Sequence, residues 1–98
     1  MALRNRPEAF VLVTHEGKMG HKRNVLAVEK TAEGKYLIRF PSDRFIRPET
    51  HKITLTLIGN ERRTAQLANC QSGSELEVLT YHGNAPKDAS FVFVAERL

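Results

Sequence analysis

The sequence predicts a mainly β fold: one small barrel of six to seven strands spanning residues 1–98, with one short helix near residues 60–71. Three observations carry that expectation. Apolar and polar residues alternate over short runs, the two-residue period of half-buried strands. Glycines at 17, 34, 59, 73 and 83 separate those runs, each among Glu, Asn, Ser or Lys, which is turn composition. A chain of 98 residues forms one domain, and this length buries roughly two-thirds of its unfolded surface without staples. Closing the sheet on itself removes the open edges that a small β protein must otherwise defend.

The elements follow in chain order. "AFVLVT" (9–14) and "NVLAVEK" (24–30) are β-rich runs flanking "THEGKMGHKR" (14–23), which reads as the turn between them. Gly17 and Gly20 there supply positive φ, and Lys18, His21, Lys22 and Arg23 stand at its tip and exit. "KYLIRF" (35–40) sets Tyr36, Ile38 and Phe40 on one face, and "KITLTLI" (52–58) sets Ile53, Leu55 and Leu57 against Thr54 and Thr56. "NERRTAQLANCQSG" (60–73) reads best as the helix. Asn60 caps its start, Glu61 suits the first turn and Gly73 the exit, although Ala65 and Leu67 also share one side of a weak strand. "ELEVLTYH" (75–82) and "SFVFVAE" (90–96) close the set. The expected core is Phe10, Leu12, Leu26, Val28, Tyr36, Ile38, Phe40, Ile53, Leu55, Leu57, Leu76, Val78, Phe91 and Phe93. The size matches SH3-like and OB-fold barrels, a likeness of topology that carries no function.

Composition narrows the chemistry. Hydrophobic residues make up 41% and charged residues 27%, which is globular rather than disordered composition. The single cysteine, Cys70, has no partner for an internal disulfide, and its expected state is a buried or inert thiol in a reducing compartment. The N-terminal "MALRNRPEAF" lacks the apolar run of a signal peptide, and no apolar run approaches the ~20 residues of a membrane helix. The expected location is cytoplasmic, with no membrane partner.

Each candidate catalytic or metal motif fails on spacing. A phosphate loop needs G-x-x-x-x-G-K-[ST] before a helix; here Gly17 and Gly20 are three apart and His21 follows the second. His15 and Glu16 begin a zincin-like H-E pair, but His21 is six residues from His15, and helical ligands need four. His51 and His82 join no cluster and read as surface or turn residues. The serines lack a G-x-S-x-G elbow. Glu75 and Glu77 point the same way from one strand, as a solvated stripe. The chain is therefore expected to be no enzyme, with no catalytic residues, no metal and no cofactor.

Charge is the remaining signal. The net charge is +4. Residues 1–30 hold six Lys/Arg against three Asp/Glu, residues 31–63 seven against four, and residues 64–98 two against four, so the first two-thirds is basic. In "RFPSDRFIRPETHK" (39–52) arginines interleave with phenylalanines. Guanidinium groups fork onto phosphates and aromatic rings stack on unpaired bases. The expected function is a non-enzymatic binding module whose basic face contacts DNA or RNA with low sequence specificity. The expected phosphate contacts are Lys18, Lys22, Arg23, Arg39, Arg44, Arg47, Lys52, Arg62 and Arg63, with Phe45 or Tyr36 stacking. In a competing reading, Phe45 and Ile46 plug the end of the barrel and the arginines pair with Asp43 and Glu49. The alternative function is a protein-interaction or homo-oligomer assembly module without nucleic acid, with an edge strand accepting a partner's strand.

Overall fold

The computed structural model describes residues 7–43, 46–59, 63–68 and 74–98. Its strands are β1 (Ala9–Val13), β2 (Met19–Arg23), β3 (Ala27–Ala32), β4 (Lys35–Arg39), β5 (His51–Ile58), β6 (Arg63–Leu67), β7 (Glu75–His82), β8 (Ala85–Pro86) and β9 (Ser90–Arg97). They form two antiparallel sheets rather than the expected closed barrel. The first runs β2-β1-β9-β5; the second runs β3-β4-β7-β6, with β8 paired to β7. The chain passes between sheets four times, from β2 to β3, β4 to β5, β5 to β6 and β8 to β9, and no ladder joins any of these pairs among the described residues. At the first passage Asn24 takes a left-handed φ of 56° and its side-chain amide donates to the Glu8 carbonyl at 2.6 Å.

The core lies between the sheets. Ala9, Val11 and Val13 of β1 and Phe91, Phe93 and Ala95 of β9 face Tyr36 and Ile38 of β4 and Leu76 and Val78 of β7. Aromatic rings link the layers. Tyr36 meets Phe91 edge-on, with centroids 5.3 Å apart at 72°, and Phe40 meets Phe93 at 5.8 Å. Val28, Ile53, Leu55 and Leu57 pack against this cluster while half-buried.

Three expected core positions fall elsewhere. Phe10 and Leu12 lie on the opposite face of β1, because Ala9, Val11 and Val13 take the inner one. In register, Val13 sits beside Phe91, Val11 beside Phe93 and Ala9 beside Ala95. Two phenylalanine rings on the neighbouring strand already fill that layer, and smaller side chains complete it at native density. Leu26 is 63% exposed, because the bend at Asn24 turns Val25 into the core instead. Ile46 is buried in the core between the two sheets; Phe45 lies outside the described residues.

The expected helix is also replaced. Residues 63–67 form β6, paired antiparallel with β7 from Arg63 opposite His82 to Leu67 opposite Val78. Ala65 and Leu67 turn toward the core and Thr64 and Gln66 toward water. Two apolar residues at a spacing of two become half-buried against the core as β6 pairs with β7, and this tertiary gain overrides weak helix propensity. The proposed cap Asn60 and the Gly73 exit lie outside the described residues.

Candidate functional site

The hairpin joining β1 to β2 closes when the Thr14 amide donates to the Lys18 carbonyl at 2.9 Å and the Gly17 amide to the Thr14 carbonyl at 2.8 Å. Gly17 takes φ 90°, as expected. Gly20 does not take positive φ; it lies inside β2, where an added Cβ would stand 2.8 Å from Leu12 Cδ2. The charged decapeptide is thus a short turn followed by a strand. All five residues of β2 are exposed, and β2 is an edge of its sheet. Lys22 lies opposite Val11 and Arg23 opposite Phe10. Among the described residues the side chains of Lys18, Lys22 and Arg23 make no ion pair or hydrogen bond.

The other expected contacts lie apart from this edge. Lys52 is on β5, the opposite edge of the same sheet and in register with Glu96. Three strand spacings, about 14 Å, separate the two edges. Arg39 is on the outer face of the second sheet, between Glu75 at 3.0 Å and Glu29 at 3.4 Å. Its partners are these strand acids rather than Asp43 or Glu49. Arg63, on β6, donates from Nη1 to the Asp88 carbonyl at 2.9 Å. Arg47 is half-buried in the turn before β5, and its carbonyl accepts from the His51 amide at 2.9 Å. Arg44, Phe45 and Arg62 lie outside the described residues. The structure places Lys18, Lys22 and Arg23 on one hairpin, with Lys22 and Arg23 on opposite faces of its edge strand, and separates Lys52, Arg39 and Arg63 from them.

Tyr36 offers no stacking face. It is fully buried, and its hydroxyl donates to the His15 carbonyl at 2.8 Å while accepting from the Ala89 amide at 3.2 Å. Burial pushes the phenol up to about 12. Next to it, Asp88 bonds Lys30 Nζ and accepts from the Gly34 amide at 2.7 Å. Burial opposes ionisation of Asp88, but the hydrogen bonds from Lys30 and Gly34 outweigh it and hold the carboxyl below its usual range. The same hydrogen bond raises Lys30 above the ordinary lysine value. This cluster ties the β3–β4 turn to the segment before β9.

His51 is buried rather than a surface residue. Its Nε2 lies 2.8 Å from Glu8 Oε1 and its Nδ1 lies 2.7 Å from Thr50 Oγ1. Glu8 Oε1 is also 3.5 Å from Arg97 Nη1. The group pins the start of β1 to the start of β5. No local signal marks it in the sequence, because Glu8 and His51 are 43 residues apart. Among the described residues, no group of three or more His, Cys, Asp or Glu side chains is placed to hold a metal ion. No helix there is long and apolar enough to cross a membrane. Comparison with protein-family models, with curated proteins and with solved structures finds no match to this chain.

Proposed function

We propose that the chain is a non-enzymatic binding module that contacts nucleic acid through the cationic edge formed by Lys18, Lys22 and Arg23. The observation that carries this reading is that these three side chains stand exposed on one hairpin with no acidic partner among the described residues. Unpaired surface cations keep their counterions until a polyanion displaces them, so binding draws on counterion release and reads phosphate rather than sequence. Arg39 contributes less, because Glu29 and Glu75 already neutralise it.

The competing reading, assembly through an exposed edge strand, finds an open edge at β2. Pairing two copies there would bring like charges face to face, which is how natural edges discourage self-association.

The test is fluorescence anisotropy of a labelled oligonucleotide titrated with the full chain at increasing salt. Affinity is expected to fall steeply with salt and to drop further in the variant Lys18→Gln/Lys22→Gln/Arg23→Gln. A control variant, Lys35→Gln/Lys87→Gln, is expected to bind like the parent. Absent binding, salt-independent binding, or an unaffected triple variant overturns the proposal.

A further inference from the structure

The outer face of the first sheet has a composition unlike that of its edges. Along β1 the inner positions are taken, so Phe10 and Leu12 face outward, half-buried. On β9 the outward residues beside them are Val94 and Val92. No layer covers this face among the described residues, since the second sheet packs on the other side. One aromatic ring therefore lies at the middle of an open apolar floor. Arg23 of β2 is directly across from that ring in register, and Thr54 of β5 continues the same row beyond Val94. The row reads cation, aromatic, apolar, hydroxyl from one edge of the sheet to the other.

We infer that this face is a platform for single-stranded nucleic acid, with Phe10 stacking on an unpaired base while Arg23 on β2 holds an adjoining phosphate. The inference rests on the nucleic-acid reading of the β2 edge and adds to it the strandedness of the ligand and the residue that selects it. Charge complementarity chooses the occupant. Arg23, unpaired and on the same face as Phe10, borders the floor, while Lys22 turns to the other side of the same edge; a partner that is apolar on one side and anionic along its length is a single strand with its bases turned inward. A duplex keeps its bases stacked and offers phosphates alone, so it meets Arg23 and leaves the ring unused. Gly20 supports the geometry. It sits where any side chain would press on Leu12, and its missing Cβ keeps the floor level beside the cationic edge.

The test compares a labelled oligothymidylate with a labelled duplex on the full chain and on Phe10→Leu, Phe10→Tyr and the triple cation variant, with circular dichroism confirming that each is folded. Phe10→Leu keeps an apolar side chain beside Val94 and removes the ring. It is expected to weaken single-strand binding about 5- to 100-fold and leave both duplex affinity and the salt dependence unchanged. Phe10→Tyr retains the ring and is expected to bind within about twofold of the parent. If Phe10→Leu binds the single strand like the parent while the cation variant does not, the platform is wrong and the basic-edge reading survives. If no oligonucleotide binds at all, both fall. A concentration-dependent dimer that Phe10→Glu dissociates, with no affinity for the single strand, assigns the face to a second copy of the chain instead.

Discussion

Single polar atoms connect the parts of this molecule. The Tyr36 hydroxyl touches the β1–β2 turn through His15 and the start of β9 through Ala89. Tyr36→Phe leaves the buried Ala89 amide unsatisfied and is expected to cost about 1–3 kcal/mol, read as a lower urea midpoint. The pH dependence follows from the raised phenol. With its folded pKa near 12 against an ordinary 10.0, the native state holds the proton more tightly than the unfolded chain. That contribution is complete below about pH 10 and is lost as pH rises through the folded value. Lys30, also raised, acts in the same direction in both proteins and cancels in the comparison. The gap in stability between parent and Tyr36→Phe should thus narrow from about pH 8 to about pH 11; a constant gap would exclude the phenol as its source. Asp88 has the opposite sign. Its lowered carboxyl contributes above its ordinary value of 3.8, and that contribution is lost as pH falls through the lower folded value. In acid titrations followed by circular dichroism, Asp88→Asn should start less stable at neutral pH and lose less on acidification than the parent.

At the scale of strands and turns, similar glycines carry different burdens. Gly34 and Gly83 both take left-handed φ, at 70° and 64°, in two-residue turns between paired strands. A Cβ on Gly83 meets nothing within 4 Å, whereas one on Gly34 would lie 2.5 Å from the Thr80 carbonyl oxygen and 2.9 Å from the Lys87 amide. Gly83→Ala is expected to cost about 1 kcal/mol, the left-handed penalty alone. Gly34→Ala adds two backbone collisions and should cost upwards of about 4 kcal/mol or prevent folding. Equal urea midpoints for the two variants would refute this distinction. The same scale explains what the sequence reveals. β4, β7 and β9 are legible because the larger or more continuous apolar set in each marks the core face. β1 is legible as a strand but not in phase: all of its residues are apolar, and the choice of inner face depends on Phe91 and Phe93, some 80 positions away. β2 is invisible to hydrophobic periodicity because every residue in it is exposed. β6 is ambiguous because its partner strand, not its own letters, decides between helix and strand. The cations of the site were legible as residues, but their neutralisation was not: Arg39 meets Glu75 only because β4 pairs with β7.

For the whole molecule, the two-sheet architecture limits how many charges one ligand reaches. A surface gathering all nine Lys and Arg side chains named from the sequence would give a single-strand salt slope near −6, at roughly 0.7 per phosphate neutralised. Between about 50 and about 200 mM salt that slope costs affinity several thousandfold. The observed distribution argues for a smaller number. Lys52 lies on the far edge of the first sheet, Arg39 is held between two glutamates on the other sheet, and Arg63 donates to Asp88. With Lys18, Lys22 and Arg23 as the working set, the slope falls to about −2 and the same salt interval costs about 20-fold. Removing one of the three should then lower the slope by about 0.7, whereas Arg39→Gln should leave it nearly unchanged. A measured slope near −6, or one that Arg39→Gln reduces as much as Lys22→Gln does, would mean that a ligand reaches across both sheets, and the single-edge interface would have to be abandoned.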